Sequence, residues 1–223
     1  MKPIRRVFVV GGAVTPFIGK KHPDFVWKGH PDFGKRDNPT LEEHLGAAVR
    51  GCLAQCGADA AVVDKGYVGN FAGELFSSQG HLGAMMPRVE PGFDGKPFTR
   101  VEAACASGGL AVIGAIEAIQ AGRDVVITAG AETQTTVSAR EGADYLARAS
   151  HYPTERGLDD FTFPAMFARR AKAYKERYGV TDEDIAHVVV KAYANANLNP
   201  LAHMRAVQRS EEHTSELQSP CNL

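Results

Sequence analysis

Val101-Glu102-Ala103-Ala104-Cys105-Ala106-Ser107-Gly108-Gly109 is the run on which the reading of the whole chain turns. Ahead of it, Phe98-Thr99-Arg100-Val101 is compatible with a β-strand, and behind it Gly108 to Ile116 reads as a small-residue apolar helix. A cysteine on a strand-to-helix turn lies beside unpaired helix N–H groups and the positive end of the helix dipole. Both favour thiolate over thiol and would bring the pKa toward working pH. The glycines and alanines allow neighbouring backbone to approach the helix start. Cys105 is therefore a candidate sulfur nucleophile. The competing reading is a buried structural thiol, since free cysteine is among the most buried residue types.

With 223 residues, 44% of them hydrophobic, the chain can bury one sizeable core. Its formal net charge of −1 gives no electrostatic footprint for nucleic acid or an anionic membrane surface. The four cysteines, Cys52, Cys56, Cys105 and Cys221, have no framework spacing and suggest free thiols in a reducing compartment. Cys52 and Cys56 stand one helical turn apart, neither a C-x-x-C redox motif nor a zinc pair. Lys2 to Arg6 followed by Val7-Phe8-Val9-Val10 superficially resembles a signal peptide. The apolar run is too short, breaks at Gly11-Gly12 and lacks a clear cleavage site, so it is read as the first buried strand. No stretch approaches the length of a transmembrane span.

Strand and helix signals alternate along the chain. Lys20 to Pro39 is rich in Pro, Gly, His and charge and reads as a long excursion. Thr40-Leu41-Glu42-Glu43 is a capping box, and Leu41, Leu45, Val49, Cys52 and Cys56 continue as one apolar face until Gly57. On that pattern Cys52 and Cys56 face the core. Lys65 to Asn70 reads as a second strand, Phe76 to Met86 as a helix and Phe98 to Val101 as a third strand. Ser107 to Gln120 is then a helix closed by Gly122, and Val125 to Ala129 a fourth strand. Crossovers of this length imply an α/β layer with mostly parallel strands. The helix after Cys105 is apolar nearly all round and is expected to be covered on more than one side. Farther on, Pro164 opens a helix in which Phe167, Ala171, Tyr174 and Tyr178 line up. Thr181 to Asp184 caps another, with Ile185, Val188, Val189 and Ala192 facing inward.

The run around Cys105 resembles the active-cysteine segment of thiolases, most of all the sterol-carrier-protein-type branch. Further matches lie in V-G-G-A-V-T-P-F (Val10 to Phe17), G-N-F-A-G-E-L-F (Gly69 to Phe76) and D-V-V-I-T-A-G-A-E (Asp124 to Glu132), and the likeness runs from Val7 to about Val207. Two departures from the biosynthetic and degradative branches, Glu102 in place of Asn and Val14 in place of Arg, fit the sterol-carrier-type branch. The resemblance implies an α/β, thiolase-like layered fold. Residues 1–130 would be the N-terminal core with a mostly parallel mixed sheet, and 131–208 an incomplete helical loop domain.

It also implies an acyl-CoA C-acyltransferase that forms or cleaves 3-ketoacyl-CoA through an acyl group on Cys105, whose backbone N–H serves as an oxyanion donor. Acyl-CoA and acetyl-CoA would be substrates, with no permanently bound cofactor and no metal. A homodimer or homotetramer in the cytoplasm, or in peroxisomes if eukaryotic, is the family expectation. Met166 falls where biosynthetic thiolases place a pocket methionine, with core filler as the alternative reading. The cluster Arg169, Arg170, Lys172, Lys175 and Arg177 is read as a solvated helix face, with coenzyme phosphates as the alternative. Arg209 to Ser219 looks like the conceptual translation of a sequencing-library adapter, so 209–223 is expected to be a non-native tail. Without it the counts of basic and acidic residues fall to 24 and 23.

Family members carry their catalytic histidine, second cysteine and most oxyanion-hole side chains in a second half. Those motifs do not occur among these 223 residues, and His81, His151, His187 and His203 are read as ordinary surface or half-buried histidines rather than substitutes. A truncated, inactive product is therefore expected. Alternatives are a ketoacyl-synthase-like condensing enzyme and a non-catalytic homologue associated with lipid transfer.

Overall fold

The computed structural model describes residues 5–20 and 22–205; the expected adapter-derived tail lies outside the described residues. Two compact units result, one from the chain up to Thr15 with Gly34–Val137, the other from Pro16–Phe33 with the chain from Ser138 onward.

In the first unit, helix α1 (Leu41–Cys56) begins where its capping box requires. Thr40 Oγ accepts from Glu43 N–H at 3.2 Å, and the Glu43 carboxylate accepts from Thr40 N–H at 2.7 Å. Gly57, left-handed at φ 60°, ends it. Strand β1 (Lys65–Gly69) is followed by the short helices α2 (Gly73–Phe76) and α3 (Leu82–Val89) and by strand β2 (Phe98–Val101). Helix α4 (Ser107–Gln120) and strand β3 (Val126–Gly130) complete the layer. The sheet order is β2-β1-β3, all parallel, and Gly69 is in register with both Val101 and Gly130. Leu45, Val49, Leu82, Met86 and Phe93 pack with Val68 and Ile127 into one cluster that joins α1 and α3 to a single face of the sheet. On the opposite face α4 lies close to Tyr67, where Gly114 leaves room for the ring.

Several expectations need correction. Val7 to Val10 forms no strand: Val9 is 90% exposed, because among the described residues no neighbouring strand supplies a ladder. It is held instead by Arg5, whose guanidinium donates to Arg123 O at 2.9 Å and pairs with Asp124 at 2.5 Å. The helix expected over Phe76 to Met86 is broken at Ser77–His81, where Ser78 and His81 take positive φ. Thr136 Oγ1 donates to Phe76 O at 2.6 Å, which takes that carbonyl out of a helical ladder, and Ser77 Oγ meets Thr133 Oγ1 at 2.6 Å. The expected second strand stops at Gly69, one residue early.

Cys52 and Cys56 are half-buried rather than core residues. Their part of α1 has turned past the cluster and lies against Gly11–Ala13. Helix α4 is covered on one side only, with Ile113 53% exposed and Val112 and Ile116 also open, since among the described residues nothing packs on that face.

The second unit is helical: α5 (Ala139–Leu146), α6 (Tyr152–Glu155), α7 (Thr162–Tyr178) and α8 (Asp182–Leu198). Thr181 and Asp184 form the second capping box, and Gly179 ends α7 at φ 68°. Phe167, Tyr174 and Tyr178 do line up on α7, yet on its solvent side, because only the first turn of this helix buries a residue. On α8 the inward positions are Ala186 with half-buried Ile185, Val189 and Val190, whereas Val188 is 68% exposed and Ala192 is exposed.

Candidate active site

The three parallel strands end together, and the segments leaving them build one edge. This is the edge of an open α/β sheet at which ligands bind. From β2 the chain enters a single 3₁₀ turn, Ala104–Ala106, and passes directly into α4. The turn is tied from several sides. Glu102 accepts from Ala104 N–H through its carboxylate. Ala103 N–H donates to Ser107 Oγ at 2.9 Å, Ser107 Oγ donates to Ala104 O at 2.7 Å, and Ala106 N–H donates to Ala103 O at 2.9 Å. Ala104 is held at φ 47°, a left-handed conformation uncommon for a residue with a Cβ. Cys105, the next residue, is exposed. The helix that starts two residues later has no side-chain N-cap; its first N–H, that of Ser107, donates to Ala104 O, and the positive end of its dipole lies beside the turn.

A backbone-to-backbone contact sets the height of this turn. A Cβ at Gly69 would lie 2.7 Å from Ser107 O and 2.9 Å from Gly108 N. Only glycine lets β1 come this near the start of α4. Beyond Gly69, Asn70 is 2% exposed and donates to Ala131 O at 2.9 Å and to Glu132 at 3.1 Å, while accepting from Gly73 N–H at 2.9 Å. Glu132 also accepts from Phe71 N–H at 3.0 Å and Ala72 N–H at 3.2 Å. The ends of β1 and β3 are thereby tied through one amide and one carboxylate. Arg100 of β2 joins them, donating to Phe71 O at 2.9 Å and pairing with Glu74, and its guanidinium holds the Glu74 carboxyl below the usual carboxylate range. Phe71, Glu74, Arg100 and Glu102 line a depression of about 390 Å³.

Asn70, Arg100 and Glu132 were not singled out by their chemistry in the sequence. The available signal was an asparagine immediately after a strand-ending glycine, where a buried amide must find partners. Met166 is half-buried on α7, in the second unit. Of the basic cluster on that helix, Arg169, Arg170, Lys172 and Arg177 are exposed. Lys175 pairs with Asp182, and the Arg170 and Arg177 guanidinium groups lie over Phe167 and Tyr178. His81 is exposed at the start of α3, and His151 and His187 are exposed on the second unit. His203 Nε2 contacts Lys20 O at 2.8 Å. Among the described residues no three His, Cys, Asp or Glu side chains gather as metal ligands, and no helix is long and apolar enough to cross a membrane.

A strand-turn-helix cysteine at the carboxyl edge of a parallel sheet defines a class, and comparison with known proteins places the chain within it. The profile described as "Thiolase, N-terminal domain" matches residues 30–207, and the chain belongs to the thiolase family. An acetyl-CoA acetyltransferase from Methanothermobacter thermautotrophicus is 38% identical over 153 residues, covering 68% of this chain and 39% of that protein. Human sterol carrier protein 2 is 26% identical, covering 91% of this chain and 35% of its own length. Among solved structures, the Ltp2-ChsH2(DUF35) aldolase is similar with a TM-score of 0.59 and 26% identity, covering 81% of this chain and 45% of that one. The chain thus spans less than two-fifths of the length of these curated relatives.

Proposed function

We propose that Cys105 is the acyl-accepting nucleophile of a thiolase-type acyltransferase working on coenzyme A thioesters, with this chain contributing the half that carries the nucleophile. The supporting observation is the exposed sulfur on a braced turn at the uncapped start of α4, in a chain similar to acetyl-CoA acetyltransferases. The Cys105 thiolate attacks the thioester carbonyl, a new C–S bond forms, and the coenzyme's sulfur leaves with the electron pair of the broken bond. Exchange of one thioester for another is nearly balanced, so the acyl-cysteine is neither trap nor summit. A carbanion from acetyl-CoA, or free coenzyme A in the degradative direction, then takes the acyl group.

The backbone N–H of Cys105 is the oxyanion donor this half offers, and each such donor is worth about 3 kcal/mol in the transition state. Turnover therefore needs the donors and the acid–base group that the family keeps in its second half. That half would also cover the open face of α4, and this chain by itself is expected to give no thiolysis of acetoacetyl-CoA.

A second reading, carbon–carbon cleavage without an acyl-enzyme, is favoured by the likeness to the aldolase. One experiment separates the two. The complete protein, incubated with labelled acetyl-CoA, is digested and examined by mass spectrometry. An acetyl group on Cys105, absent from Cys105→Ser, supports the acyltransferase; catalysis that survives Cys105→Ser overturns it.

A further inference from the structure

The last turn of α1 holds a second sulfur chemistry that the acyl-transfer reading does not use. Cys52 and Cys56 stand at i and i+4 on one face of the helix, both half-buried. The N-terminal segment runs over them: Gly12 N–H donates to Gln55 Oε1 at 2.6 Å, and a Cβ at Gly11 would lie 2.5 Å from Cys56 Sγ. Burial, and next the neighbouring Cys56, push the Cys52 thiol above its ordinary range.

Geometry decides what such a pair can do. A disulfide needs Cβ atoms about 3.5–4.5 Å apart. At i and i+4 of a helix they are about 5–6 Å apart, so oxidation would unwind the turn. A bridging atom does not have this difficulty, because two metal–sulfur bonds of about 2.3 Å at a tetrahedral angle join sulfurs about 3.8 Å apart. Cys56 is moreover the last residue of α1, where the negative end of the helix dipole favours a positive centre over a second thiolate.

We propose that Cys52 and Cys56 form a dithiol clamp for a trivalent thiophilic metalloid centre, walled on one side by Gly11. Soft centres prefer sulfur ligands, and binding one releases the thiol protons. With a trivalent organoarsenical as probe the step balances. Two As–O bonds of the hydrated phenylarsine oxide break and two As–S bonds form. The two thiol protons leave in two waters, and no electron is transferred.

The test uses the full chain and phenylarsine oxide, with the adduct read by intact-mass spectrometry. One phenylarsenic per chain should survive washing with 2-mercaptoethanol and be stripped by 2,3-dimercaptopropanol. Cys105, exposed and on a different element from the pair, should not hold it through the wash. Cys52→Ser and Cys56→Ser should each lower the retained adduct at least ten-fold, whereas Cys221→Ser should leave it unchanged. The chain unfolded in urea should be captured at least ten-fold more weakly than the folded chain. Gly11→Ala, which pushes on Cys56 Sγ without removing a thiol, should weaken capture several-fold and keeps the test open if a cysteine variant fails to fold. No wash-resistant adduct, an adduct that persists in Cys56→Ser, or equal capture by folded and unfolded chain would each overturn the proposal.

Discussion

The two units bury different things. In the first, the buried residues are large: Leu45, Val49, Leu82, Met86 and Phe93 are all within 1% of fully buried and touch one sheet face. In the second, apart from Phe25 and Val26, the buried positions among the described residues are small, Gly19, Gly142, Ala143, Ala147, Thr162 and Ala186. What ties that unit together locally is polar. Asp144 receives Arg156 Nε at 2.9 Å, Tyr152 Oη at 2.8 Å and Arg148 at 3.0 Å, and Arg148 also stacks on Tyr152. A buried large side chain stabilises by roughly 1.5–3 kcal/mol, whereas partly exposed ion pairs are worth about 0–1 kcal/mol each and weaken with salt. The turn that carries Cys105 is thus mounted on the part of the molecule held by burial. The part held by charge is the one that acid and salt should loosen first.

The contrast is broken most directly from the core outward. Leu45→Ala removes a fully buried side chain of α1 and should cost about 2–5 kcal/mol in chemical denaturation. A loss below 1 kcal/mol would mean the cluster does not carry the first unit. Gly69→Ala places a methyl 2.7 Å from Ser107 O, so β1 or the start of α4 must shift. Overpacking of this kind costs about 1–3 kcal/mol. It should also change the rate at which Cys105 is alkylated by iodoacetamide, a readout that Leu45→Ala leaves alone wherever the protein stays folded.

Those targets differ in how openly the chain displays them. The limits of α1 and α4 and the whole of β2 follow from local signals: a Thr40–Glu43 box, Gly57, and a switch from strand to helix texture at Cys105. Val7 to Val10 carries an equally good strand pattern, but strand formation needs a partner edge and none is offered among the described residues. The faces of α7 and α8 were legible as apolar stripes, not as buried ones, since the amount of apolar surface opposite them cannot be read from their own residues. In the candidate site Cys105 was visible from its neighbours alone. The Asn70–Glu132 tie was not, because its members are 62 residues apart and each looks ordinary by itself.

Acid should separate the units next. The Arg156 hydrogen bond, with help from Tyr152 and Arg148, lowers the Asp144 carboxyl to about 2. A carboxyl depressed on folding stabilises fully above its ordinary pKa of about 4 and loses that contribution as pH falls through the folded value. The second unit should therefore weaken between about pH 4 and 2, by on the order of 1 kcal/mol given that Asp144 is 31% exposed. Asp144→Asn should remove most of this pH dependence, measured by hydrogen exchange of α5 and α6 amides across that range. If the slope is unchanged in the variant, the polar account of this unit is wrong.

The smallest effect is also the sharpest check on the contrast. Val188 projects from α8 at 68% exposure, in a stripe that the sequence places inward. If that side chain is solvated in the protein, Val188→Ala should change stability by less than about 0.5 kcal/mol, as surface substitutions do. Alanine's better helix propensity makes a slight gain as acceptable as a slight loss. Ala186→Leu, one position away from the inward Ile185, is the paired control: its methyl is 4% exposed, so added bulk should cost about 1–3 kcal/mol. A Val188→Ala loss as large as that of the control would put the apolar face of α8 against something, and the second unit would then rest on burial as the first does.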